Sequence, residues 1–390
     1  MKSNHTAKKS GFAFINNRRF QVVALMVVWF AIGWLACTWF TSATNPEANL
    51  FGQALSNIEN KAYAAAPSRQ DLTYTAIRAM LSSLGDRYAT FRDPALANRA
   101  MQELEGVGEA VIGIEGEMKD GQFFITALTP DLPAAQSGLQ VGDVITSVDG
   151  WTVKPSTTSS EVFSMVRNNQ IPTAHITVTR GSQALTFDIP RQAVQAVTSK
   201  MIGRVAYLRY DIEDATAPQA LKTELERLMQ SNPKGLILDL RYNGGGLMDA
   251  TQKILDLFEG EGVAFYARSR DGKLMTFATK NGDIAEQIPM VVLVAKETYS
   301  AAETIAASLQ ERGRAVLLGA TTHGKGSIVE TVQLSDGSSF QLTVARWLSP
   351  VQQKDYEGLG VTPNASPVLE SSSVTDTLLD FAVATLDPNK

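Results

Sequence analysis

The chain carries one cysteine and three histidines in 390 residues, and that scarcity argues against whole classes of chemistry. Cys37 lies inside a long apolar run, where it has no thiol partner for an internal disulfide and no setting for a catalytic thiolate. Neither His-Glu-x-x-His nor a Cys/His cluster occurs, so a zinc hydrolase is not indicated and no metal or cofactor is expected. His5 sits in a basic N-terminal arm, and His175 lies in the alternating stretch Ala174 to Thr179, which reads as a strand. A Ser/His/Asp triad would have to use His323, whose neighbouring glycine more simply marks a loop. Positive charge is also sparse: the net charge is -5, and beyond the first twenty residues no Lys/Arg-rich patch with interleaved aromatics appears. Nucleic acid is therefore not an expected partner. Internal repeats and low-complexity segments are absent.

What is present begins with length and apolarity. With 44% hydrophobic and 19% charged residues, the chain can support two domains with cores of their own. Phe20 to Phe40 is a run of 21 uncharged residues. As a helix rising roughly 1.5 Å per residue it spans about 30 Å, the thickness of a bilayer core. Lys2, Lys8, Lys9, Arg18 and Arg19 precede it, and Glu47 is the first acidic residue. The positive-inside rule then places residues 1–19 in the cytoplasm, residues 20–41 across the membrane as a single span, and the rest on the extracytoplasmic side. A cleaved signal peptide is the alternative, although the run exceeds the roughly 7 to 15 apolar residues of a signal core.

Residues 42–103 read as a helical connector, with Leu72, Ile77, Met80, Leu81 and Leu84 at near-helical spacing. From 104 to 192 the apolar period changes to two, in Gln122 to Thr126, Asp143 to Val148 and His175 to Thr179. Between these lies Pro133-Ala134-Ala135-Gln136-Ser137-Gly138-Leu139-Gln140-Val141-Gly142-Asp143. This stretch resembles a PDZ domain. The resemblance implies a β-rich module that adds a partner's C-terminal segment as a strand and holds its carboxylate on backbone N–H groups, here in Val111-Ile112-Gly113-Ile114. Residues 193–390 alternate strands with helices, which implies an α/β core.

Two residues in that last region propose a chemistry: Ser300 in Tyr299-Ser300-Ala301-Ala302-Glu303 and Lys325 in His323-Gly324-Lys325-Gly326-Ser327. A hydroxyl is a poor nucleophile until a base takes its proton, and a lysine kept neutral by burial can be that base. Each has a plainer reading. Ser300 with Glu303 fits a capping box, and Lys325 fits a solvated turn. A serine at a helix start is nevertheless placed where free N–H groups can hold an oxyanion. The third segment, Gly235 to Asp239 followed by Leu240-Arg241-Tyr242-Asn243-Gly244-Gly245-Gly246, reads as a buried strand ending in a glycine turn.

Together these segments resemble the carboxyl-terminal processing peptidases, in the order Asp-Leu-Arg-x-Asn-x-Gly-Gly, Ser-Ala-x-Glu and Gly-Lys-Gly. The resemblance covers about residues 70 to 365, including Ala79 to Tyr88. It implies a crotonase- or ClpP-like α/β peptidase core preceded in order by the PDZ domain, with Ser300 as nucleophile, Lys325 as general base, and the N–H groups of Gly245 and Ala301 as oxyanion hole. The implied partners are C-terminal tails of extracytoplasmic or membrane proteins; oligomerisation is left open. Two positions depart from the family pattern. Val329 stands where a glutamine commonly orients the lysine, with Glu330 expected on the opposite face of the strand, and Gly244 replaces a proline. The rival reading is therefore a catalytically silent tail-binding adaptor. Coupling of the PDZ domain to the site is expected to run through the linker around Gln192 to Lys200.

Overall fold

The computed structural model describes residues 46–388 apart from 107–109, 130–131, 169, 194–196, 281–283, 286–287 and 368–375. The expected arm and anchor lie outside the described residues, among which no helix is long and apolar enough to cross a membrane. The described chain divides into two compact units after Ile77. The first contains helix α1 (Pro46–Lys61) and the start of α2 (Arg69–Ser83), where Arg69 pairs with Glu59 at 2.9 Å.

In the second unit the connector is not wholly helical. Thr90-Phe91-Arg92 forms strand β1 (Thr90–Arg92), which joins the edge of a sheet far along the chain, as its β-branched and aromatic residues favour. Helix α3 (Pro94–Glu105) follows. Asp93 starts it by accepting the Leu96 N–H at 3.0 Å, Pro94 occupies the first helical position, and left-handed Gly106 ends it.

Next come β2 (Ala110–Val111), β3 (Ile114–Lys119), β4 (Gln122–Leu128), the short helix α4 (Pro133–Gln136), β5 (Val144–Val148), β6 (Trp151–Thr152), helix α5 (Ser159–Val166), β7 (Thr173–Arg180), β8 (Gln183–Pro190) and β9 (Gln192–Ala193). An antiparallel sheet runs β3-β4-β5-β7-β8, with β6 hung on β5, while β2 and β9 pair where the chain enters and leaves. Alternation places Phe123, Ile125, Ile145, Ile176 and Val178 inward, where they meet Val162 and Val166 of α5.

The remaining chain supplies β10 (Val197–Ile202), β11 (Val205–Tyr210), α6 (Ala217–Met229), β12 (Gly235–Asp239), α7 (Met248–Leu255), β13 (Gly262–Ser269), β14 (Leu274–Thr279), β15 (Met290–Val294), α8 (Ala301–Glu311), β16 (Val316–Gly319), β17 (Ser327–Gln333), β18 (Ser339–Leu348) and α9 (Thr377–Leu386). The central sheet runs β10-β11-β12-β15-β16, parallel except for β10. Every residue of β12 and β15 is buried, as continuous apolar strands covered on both faces should be. On one face Leu236, Leu238, Val292 and Val294 share a core with Leu221, Ile254 and Ile305; on the other, Ile237, Val291 and Leu293 meet Ala382 and Val383 of α9. A second sheet, β1-β18-β13-β14 with β17 on β18, stands beside it.

Candidate active site

In a parallel sheet the carboxyl ends of neighbouring strands emerge on one side, and here three loops do so together. The glycine turn follows β12, the Ser300 turn follows β15, and the Lys325 loop follows β16. Short bonds tie them: the Thr298 hydroxyl donates to the Leu240 carbonyl (2.8 Å), Tyr299 N–H to the Asn243 carbonyl (3.0 Å), and His323 N–H to the Thr298 carbonyl (3.1 Å).

Ser300 has φ 59° and ψ -119°, a conformation uncommon for a residue with a side chain and one that costs on the order of 1–3 kcal/mol. It opens α8, and the Ala301 N–H that follows has no acceptor among the described residues. The glutamate half of the expected capping box is formed but extends much further. Glu303 is fully buried. One carboxylate oxygen accepts the N–H groups of Ser300 (2.8 Å) and Lys325 (2.8 Å), and the other accepts the Gly324 N–H (2.6 Å) and the Thr322 hydroxyl (2.5 Å). One carboxylate thus joins the two loops that carry Ser300 and Lys325.

Lys325 is 9% exposed. Its carbonyl accepts the Trp347 indole N–H at 2.8 Å, and the next two residues are held by Glu357, which accepts Gly326 N–H (3.0 Å) and the Ser327 hydroxyl (2.8 Å). Burial pushes the Lys325 ammonium below the usual lysine range, against the attraction of Glu357, Asp86 and Glu303. Ser300 and Lys325 line one cleft of about 730 Å³. His323 is exposed, and its ring packs edge-on against Tyr299 at 4.6 Å.

The glycine turn lies directly behind the serine. Gly245 has φ 79°, and a Cβ there would sit 2.8 Å from the Ala301 nitrogen and 2.9 Å from Ser300 Cβ, so only glycine fits. The two expected oxyanion donors are engaged differently. The Gly245 N–H donates to Asn243 Oδ1 at 2.8 Å, so of the expected oxyanion pair only Ala301 is unengaged in this arrangement. The cause is local: an asparagine at the start of a glycine turn bonds its own backbone two residues on. Val329 and Glu330 follow the register shift after Ile328 in β17, pair in turn with Thr343 and Leu342, and both border the cleft.

A family model described as Peptidase family S41 matches residues 204–366, and a PDZ domain model matches residues 110–190. The chain is 30% identical over 338 residues to a carboxy-terminal-processing protease of Bartonella bacilliformis, covering 82% of this chain and 76% of that one. It is 32% identical over 329 residues to the carboxyl-terminal-processing protease of a Synechocystis species, covering 80% and 76%. The chain belongs to peptidase family S41. It is accordingly a serine-type peptidase of the carboxyl-terminal processing kind, a hydrolase of peptide bonds. Among solved structures it is similar to the photosystem II D1 C-terminal processing protease, with a TM-score of 0.53 and 28% identity over 80% of this chain and 86% of that one.

Helix α3 of this S41 peptidase falls within the expected helical connector, but its place at the site was not foreseen from sequence. Ala97, Ala100, Met101 and Leu104 line the Ser300 cleft. From a neighbouring face, buried Arg99 donates to the carbonyls of Ser164 (3.1 Å) and Arg167 (2.9 Å) at the end of α5, and Leu96 enters the PDZ core. The signal was available as two offset helical stripes, but nothing local says which partner each stripe meets.

In the PDZ domain, Val111 pairs with Gln192, and Ile112 is buried. The Ile112 and Gly113 carbonyls accept N–H groups of Ala134 (2.7 Å) and Thr129 (3.0 Å), whereas the N–H groups of Ile112 and Gly113 have no acceptor among the described residues. Ile114 begins β3, an edge of the sheet. Gly113 has φ 88°, and a Cβ there would lie 2.3 Å from Leu132 Cβ.

Proposed function

We propose that this peptidase is a membrane-anchored endopeptidase that takes the C-terminal tail of an extracytoplasmic protein through its PDZ domain and cleaves near that end. Ser300 attacks the scissile carbonyl, and Lys325, neutral when it acts, removes the hydroxyl proton and returns it to the leaving amine. Water then hydrolyses the acyl-enzyme. Ala301 N–H supplies one oxyanion donor; Gly245 N–H supplies the second once the oxyanion displaces Asn243 Oδ1. Residues 20–41 anchor the chain with the catalytic part outside the cytoplasm. The tail's carboxylate rests on the unengaged N–H groups of Ile112 and Gly113, and its backbone extends β3.

The observation that carries the reading is Glu303, whose buried carboxylate binds the backbone N–H groups of both Ser300 and Lys325 beside one cleft. An adaptor that only bound tails would have no use for that bridge.

The test uses the full-length chain in detergent with one substrate protein ending in either a nonpolar or a charged tail, and mass spectrometry of the products. Wild type should shorten the nonpolar form, while Ser300→Ala and Lys325→Arg should not, since a guanidinium does not deprotonate in a protein. Tail binding without cleavage by wild type would favour the adaptor.

A further inference from the structure

The Lys325 ammonium has neither an ion-pair partner nor a hydrogen-bond acceptor among the described residues, although three carboxylates act on it from a distance. Each is committed elsewhere. Glu303 accepts four donors across the two loops. Glu357 accepts Gly326 N–H, the Ser327 hydroxyl and the Tyr88 hydroxyl, and pairs with Arg87 and Arg346. Asp86 accepts Tyr88 N–H (2.9 Å) together with the N–H (2.8 Å) and hydroxyl (3.0 Å) of Thr343. Arg92, of like charge, opposes all three, and Val329 brings no acceptor. Glu330 lines the cleft but is exposed.

What the ammonium does meet is two aromatic rings. Lys325 Nζ lies 4.9 Å from the ring centre of Tyr88 and 4.9 Å from that of Tyr299, within the range where a ring's negative face attracts a cation. Both rings are held from behind. The Tyr88 hydroxyl donates to Glu357 at 3.1 Å with the Arg87 guanidinium 4.7 Å from its ring, and Tyr299 is wedged against His323 one residue before Ser300.

We propose that Tyr88 and Tyr299 are the positioning residues for Lys325, two ring faces that hold its amine beside Ser300 in place of a side-chain hydrogen-bond acceptor. This rests on the reading of Lys325 as the base. A ring attracts the ammonium electrostatically but is a poor acceptor for the neutral amine. Once the proton leaves, the nitrogen lone pair is therefore free to take the Ser300 hydroxyl hydrogen. Burial favours the neutral amine, whereas the rings and the three carboxylates favour the ammonium; the rings are the part of that balance that also fixes position.

The experiment follows the rate of Ser300 labelling by a small fluorophosphonate from about pH 5 to about pH 10, spanning the ordinary lysine range and well below it. It uses the full-length chain and the variants Tyr88→Leu, Tyr88→Phe, Tyr299→Leu, Tyr299→Phe and Lys325→Arg. Leucine keeps an apolar wall but no ring, so each leucine variant should move the acid limb of the profile to lower pH by about half a unit to one unit. It should also lower the plateau by about tenfold or more, as the amine loses its place. Phenylalanine keeps the ring and should restore the limb. Folded leucine variants with the wild-type limb would overturn the proposal, because a merely structural role lowers the plateau without moving the limb. Should leucine unfold the chain, Tyr→Met, of similar bulk and without a ring face, serves the same comparison. Wild-type protein that does not label, or Lys325→Arg labelling like wild type, would instead remove the base reading beneath it.

Discussion

Glu303 shows how much one side chain can hold when its two oxygens meet four donors. Glutamine in its place has one acceptor oxygen and presents an NH₂ to donors, so at least two buried groups lose their partner, each at a cost of about 1–3 kcal/mol. Glu303→Gln should lower the Ser300 labelling rate by on the order of 10²-fold, because the two loops lose their common anchor, and should lower the thermal midpoint measured alongside. Glu213, also fully buried, sits under the glycine turn: its N–H donates to the Gly245 carbonyl (3.1 Å) and its carbonyl accepts Leu247 N–H (2.8 Å). Burial raises its carboxyl from 4.5 to about 8. The folded state therefore binds the proton more tightly than the unfolded chain, and the associated stability, complete below about pH 4.5, is lost as pH rises through about 8. Glu213→Gln should flatten that fall, as read from denaturant midpoints on either side of the window.

Helix α3 gives the peptidase a connection between its two domains that is an element in its own right. Arg99 places its guanidinium on the terminal carbonyls of α5, satisfying acceptors that a helix end leaves open and meeting the negative end of its dipole. Arg99→Met keeps an apolar stem but strands the Ser164 carbonyl and leaves the Arg167 carbonyl to the Ala110 N–H (3.1 Å), and should cost on the order of 1–3 kcal/mol in chemical denaturation. The stripe through Ala97, Ala100, Met101 and Leu104 forms one wall of the cleft. A charge on it, as in Met101→Glu, should reduce kcat/KM for apolar-tailed substrates by about tenfold, the cost of setting a charge against apolar groups. Phosphonate labelling, which asks little of that wall, should change less.

For the whole molecule the prediction separates recognition from chemistry. In Gly113→Val the new side chain meets Leu132, and φ 88° disfavours a β-branched residue, so the loop must shift. Tail binding and cleavage of tailed protein should fall together, while phosphonate labelling of Ser300 persists. If labelling fell equally, the two domains would act as one unit, and α3 would be the element to examine, since it touches both.

The α/β core was legible because parallel strands covered on both faces must be apolar throughout, as Leu236 to Leu238 and Met290 to Val294 are. The PDZ sheet was legible from its period of two. Ser300 and Lys325 stood out because glycine and polar turns punctuate the strands and helices around them. Sequence alone could not show the partners that act across loops. Glu303 read as a local cap because its four-residue signature is local, whereas its bonds to Gly324 and Lys325 span twenty or so residues. The ring of Tyr88 reaches Lys325 across 237 residues of chain. Asn243 turned back on Gly245 through a bond that a linear motif does not print. Periodicity and turn chemistry are properties of neighbouring residues, so the sequence determined the elements and the candidate chemistry. Contacts between loops depend on where folded strands end relative to one another, and only the tertiary structure decided those.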